Sequence, residues 1–159
     1  MIRDVSLMTE AAPTIRIWTD PELNDLVRCW QNCTLPFEQW APHTSHMATT
    51  VWHLRNYPFE EAERRMREGI PRYNHAHGKF TGYHETVTRF YIRIVRDAIK
   101  RLDKTQSTAE LANAVIASLG ASREDRLKLM REYYSFADTM FTSDEARKSW
   151  IEPDLKRLD

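Results

Sequence analysis

Apolar side chains along this chain recur at helical spacing, and strand-like alternation is hard to find. Thr19-Asp20-Pro21-Glu22 reads as a capping box with proline in the first turn, opening a helix through about residue 32. Leu35-Pro36-Phe37 interrupts it. A second helix is expected to begin between Pro36 and Pro42 and run to about Asn56, with Met47, Val51 and Leu54 on its inner face. Pro58 starts a third, striped by Ala62, Met66, Ile70, Tyr73 and His77, with a kink expected where Pro71 follows Gly69. Gly78 fits its C-terminal cap.

A fourth helix is expected from Gly82 or Tyr83, turning Val87, Tyr91, Ile94, Val95 and Ala98 inward. Ser107-Thr108-Ala109-Glu110 is a second capping box, for a helix closing at Gly120. Ser122 caps a sixth, carrying Leu127, Met130, Tyr133, Tyr134 and Ala137. A short last helix is expected from Ser143 to about Trp150, followed by a tail. The sum is all-α: one antiparallel bundle of about six helices over residues 19–159, behind a poorly ordered N-terminal extension, residues 1–18.

Composition agrees with a globular reading. Hydrophobic residues make up 42% and charged residues 29% of 159, enough for one buried core. Lys+Arg and Asp+Glu are 23 each, a balance that argues against a nucleic-acid partner. No apolar run approaches the ~20 residues of a membrane span, and the start lacks a signal-peptide layout. A bacterial-type cytoplasmic protein is the expectation. A homodimer is one state this composition leaves open. Cys29 and Cys33, four apart on one helix face, read as two reduced thiols without chemistry.

The candidate chemistry lies in the phase of the histidines. His43 and His46 are three apart on the second helix, on a face that continues into Met47, Thr50 and Leu54. His84 is followed by Val87, Thr88 and Tyr91, again the inward face. A buried imidazole needs partners for both nitrogens. A divalent ion held by His43, His46 and His84 would supply them, and iron, manganese, zinc and copper are all candidates. Glu85, about 100° round the helix from His84, is placed to complete the set or to act as a base. The structural alternative is that each histidine is a satisfied core or capping residue, and that Glu85 answers only to the helix dipole. His53 reads as a flank residue, and His75 and His77 as last-turn residues.

Negative patterns narrow the chemistry. No histidine has glutamate three residues before it, as di-iron bundles require. Thr88 stands where a zinc protease needs its second histidine.

Taken in order, His43-x-x-His46, then Ile70-Pro71-Arg72-Tyr73-Asn74, Gly82-Tyr83-His84-Glu85-Thr86-Val87-Thr88, Tyr133-Tyr134-Ser135, Ser143-Asp144-Glu145-Ala146-Arg147 and Pro153-Asp154-Leu155 resemble a family of small bacterial helical proteins. That family is functionally unassigned, so the resemblance implies a domain type and a shared site without a reaction. Ala41-Pro42 depart from the Trp-Thr expected directly before His43.

The resemblance adds Tyr83 and Arg147 to the candidate site, as proton donor and as clamp for a substrate carboxylate. Structural roles compete here too, with tyrosine tips bonded in the core and Arg147 paired with Asp154. Three functions compete. One is a small metal-dependent enzyme acting on a small molecule, and another is a metal-free binding or acid-base pocket using His84 and Glu85. The third is a protein whose polar cluster only fixes the bundle's register.

Overall fold

The computed structural model describes residues 17–159, and the described residues form α-helices and short turns without a strand. Helices α1 (Asp20–Gln31), α2 (Phe37–Trp40), α3 (His43–Asn56) and α4 (Phe59–Ala76) lead into α5 (Glu85–Lys100) and α6 (Thr108–Leu119). Next come α7 (Arg123–Tyr133), a 3₁₀ segment over Ala137–Thr142, and α8 (Asp144–Lys148). The all-α bundle expected from the sequence is observed, and among the described residues no helix is long and apolar enough to cross a membrane.

The capping signals act where they were read. Thr19 accepts from the Glu22 amide, and both Ser107–Glu110 and Ser122–Asp125 form reciprocal capping boxes. The expected second helix is two: α2 stops at Trp40, and Pro42 sits just outside α3 as its N-cap. Helix α4 runs from Phe59 to Ala76 with Pro71 inside it, as one continuous helix. Gly69 in the same helix has a different job: a Cβ there would lie 2.4 Å from the Trp30 indole, so only glycine admits that ring.

Helix α3 is the hub. It is buried on several faces and packs against α1, α4, α5 and α6 around Leu23, Val27, Trp30, Met47, Val51 and Leu111. A second apolar cluster joins Phe90 and Ile94 of α5 to Met130, Tyr133, Tyr134 and Met140. Trp18, assigned to the extension, belongs to the fold: it is buried, its amide donates to Asn113 Oδ1, and its carbonyl accepts from Asn113 Nδ2. The rest of the expected extension, residues 1–16, lies outside the described residues.

The C-terminal segment is tied back onto the bundle. Thr86 donates to the Ser149 carbonyl at 2.6 Å and accepts from the Ile151 amide at 3.2 Å. The Tyr134 hydroxyl donates to the Ile151 carbonyl at 2.8 Å, and Asp154 accepts from the Ser135 amide. These bonds hold α8 and the 3₁₀ segment against the start of α5.

Candidate functional site

Between the two apolar clusters lies a cavity of about 270 Å³. Its lining comes from the first turns of three helices: His43, His46 and Met47 of α3, His84, Val87 and Thr88 at the start of α5, and Arg126 of α7. Met66 and Ile70 of α4, with Ile92 and Val95 of α5, give an apolar floor, and Tyr91 and Phe141 complete the wall. The sequence reading brought His43, His46 and His84 to one place, and the structure puts all three on this cavity along with Tyr83 and Arg147.

The residues on the α5 side are occupied by the protein itself. His84 is the N-cap of α5: Nδ1 accepts from the Val87 amide at 3.1 Å, while Nε2 faces the Met140 carbonyl at 3.0 Å. That pairing fixes the tautomer with the proton on Nε2. Burial lowers the pKa of His84, the Met140 bond opposes it, and the nearby Arg147 charge lowers it further. Arg147 donates to the Thr81 carbonyl at 2.7 Å and the Phe141 carbonyl at 2.9 Å, stapling the chain before α5 to the 3₁₀ segment. The expected Arg147–Asp154 pair does not form; Asp154 bonds Ser135 instead.

Glu85, read from the sequence as a helper to His84, lies off the cavity lining. Its carboxylate accepts from Arg67 at 2.6 Å and from the Tyr83 hydroxyl at 2.9 Å, and it is absent from the lining. The 100° offset from His84 carries it toward α4. Tyr83 therefore presents a ring to the cavity while its proton is committed to Glu85. Burial and that hydrogen bond push its pKa up.

The opposite wall differs. His46 stacks on Trp40 with ring centroids 4.0 Å apart, and His43 lies 6.3 Å from His46 and edge-on to Tyr91 at 5.0 Å. Burial first, then the Arg126 charge, lower His43 to about 3 and His46 to about 4, so both are neutral at physiological pH. Three buried polar atoms on this wall have no hydrogen-bond partner among the described residues: His43 Nε2, the Tyr91 hydroxyl and Arg126 Nε. Burial raises the Tyr91 pKa, so the phenol keeps its proton.

Arg126 and Tyr91 were missed as site residues. The signal for Arg126 was present, since it precedes Met130, Tyr133 and Ala137 by four, seven and eleven and so shares their inward stripe.

For a metal ion the donor set does not fit. Both His84 nitrogens are engaged, and among the described residues no three His, Cys, Asp or Glu side chains are grouped to hold an ion. Comparison with known proteins found no matching family model, no similar curated protein and no similar solved structure. The fold and site define a class, an all-α bundle with a side-chain-lined pocket between its helices.

Proposed function

We propose that the cavity is a binding site for a small organic molecule and needs no metal. The observation that carries this reading is that three residues lining one cavity each hold a buried polar atom without a hydrogen-bond partner among the described residues: His43 Nε2, the Tyr91 hydroxyl and Arg126 Nε. A buried polar group left unsatisfied costs about 1–3 kcal/mol. Three on one wall make a standing cost that a ligand's polar group relieves. At about 270 Å³ the space lies just under the roughly 300–1,000 Å³ typical of drug-sized pockets, which suits a metabolite-sized guest.

Binding is favoured over acid-base catalysis by magnitude. A general base works best with a pKa near the operating pH, and an imidazole lowered to about 3 is protonated too weakly to serve in the free protein. His43 instead offers a neutral nitrogen and Tyr91 a proton for hydrogen bonding. His84, Tyr83 and Arg147 shape the cavity rather than react in it.

The test is a fragment library of neutral, anionic and cationic compounds screened by amide chemical-shift mapping. Hits are expected to shift the first turns of α3 and α5 and the region of Arg126, and to weaken in Tyr91→Phe. Fragments that map only elsewhere, or bind Tyr91→Phe unchanged, would contradict the reading.

A further inference from the structure

We infer that the guest is an organic carboxylate with an apolar body, its carboxylate received by Arg126 and its body lodged against Met66, Ile70 and Val95. This rests on the cavity being a binding site and adds the chemical class of what it takes.

The electrostatics of the lining point one way. Among the described residues no Asp or Glu lines the cavity, whereas Arg126 and Arg147 do. Arg147 is used up on two carbonyls, but Arg126 has no ion pair among the described residues, and its Nε is buried without a partner. An arginine held half-buried with neither counter-ion nor hydrogen bond on one nitrogen is a charge waiting for an anion.

The backbone adds to it. Helices α3, α5 and α7 all turn their N-terminal ends to this cavity, so three positive dipole ends converge beside Arg126. The start of α3 receives no side-chain cap, because its N-cap residue is Pro42. Glu85 lies in the first turn of α5 and Glu124 and Asp125 in that of α7, with Asp125 close enough to act on Tyr91, but none of the three is on the lining, where the charged side chains are Arg126 and Arg147.

The rest of the lining sets the class within anions. One unpaired guanidinium, one phenol donor and one neutral imidazole suit a single carboxylate's acceptor sites. A phosphate dianion calls for more charge than the single unpaired arginine supplies. Met47, Met66, Ile70, Ile92 and Val95 demand an apolar remainder. Methionine in that floor adapts to either an aromatic ring or a branched aliphatic chain.

The experiment uses matched pairs on the full chain at neutral pH, read by titration calorimetry. Phenylacetate is compared with phenylacetamide, and 4-methylpentanoate with its amide; inorganic phosphate is the third arm. The carboxylates are expected to bind about tenfold or more tighter than their amides. Arg126→Gln should erase that preference, and Lys128→Gln, an exposed change on the same helix, should leave it intact.

Amides binding as well as carboxylates overturn the anion assignment and leave the binding site standing. Phosphate binding as tightly as either carboxylate overturns the apolar-body assignment. If no compound binds, the carboxylate class falls, and the binding reading falls with it where the fragment screen also gives no hit at the cavity. Melting curves of Arg126→Gln accompany the titration, and a folded variant that keeps the carboxylate preference also overturns the proposal.

Discussion

The two walls of the cavity carry the same kinds of residue and treat them in opposite ways. Around the N-terminus of α5, His84, Tyr83 and Arg147 each spend their polar atoms on the protein: a helix cap, a carboxylate, two carbonyls. On the other wall His43 of α3, Arg126 of α7 and Tyr91, two turns into α5, each keep a buried polar atom unspent among the described residues. A histidine with two bonded nitrogens explains itself by stability. A histidine with an orphan nitrogen, beside an orphan phenol and an orphan guanidinium nitrogen, does not. On the binding-site proposal, one wall is architecture and the other is the surface that meets the guest.

The largest expected effect on this contrast comes from acid. His43, His46 and His53 have folded pKa values of about 3, 4 and 4, below the ordinary 6.5. The unfolded chain therefore binds protons that the folded chain refuses, and stability is complete above pH 6.5 and falls as pH drops toward the folded values. Each histidine contributes a slope of up to about 1.4 kcal/mol per pH unit in that window. Denaturant unfolding between pH 7.5 and 5 should show this loss, and His43→Gln should make the slope shallower by up to one proton. A stability flat across that range would remove the buried-neutral description of the α3 wall.

His84→Ala comes next. It deletes the α5 cap and strands the buried Met140 carbonyl, and together these cost about 2–4 kcal/mol. A thermal melt within a degree of the parent would show that this wall is not architectural. Thr86→Val, which removes two bonds to the C-terminal segment, should cost about 1–3 kcal/mol, read as a lower denaturation midpoint.

Tyr91→Phe is the smallest and the sharpest. Its hydroxyl has no partner to lose, so stability should stay within about 0.5 kcal/mol or rise. A loss as large as that of Thr86→Val would place Tyr91 on the architectural side.

Most of the fold was legible in the sequence because its signals are local. Serine or threonine three residues before an acid marked the starts of α1 and α6, and Ser122 marked that of α7. The break between α2 and α3 was not resolved, since Pro36 and Pro42 each permit a helix start. Pro71 lies inside α4, where packing along the helix tolerates one missing amide, as the apolar stripe through Tyr73 indicated.

At the site, helical phase correctly carried His43, His46 and His84 to one cavity. Phase cannot show what a side chain bonds to when it arrives. The partner of His84 Nε2 is a carbonyl 56 residues later in the chain, and the partners of Arg147 lie in two further segments. Glu85 looked like a helper to His84 but faces Arg67, which a single-helix projection does not reveal. Arg126 was hidden because a lone arginine amid many charged neighbours on α7 reads as solvated surface.

A crystal structure of the protein saturated with phenylacetate tests the division between the walls most directly. The account predicts the ligand inside the cavity, its carboxylate within hydrogen-bond reach of Arg126 and of the Tyr91 hydroxyl or His43 Nε2, with the His84 and Arg147 bonds unchanged. A ligand seated elsewhere, or a crystal in which those three atoms already satisfy one another, would contradict it.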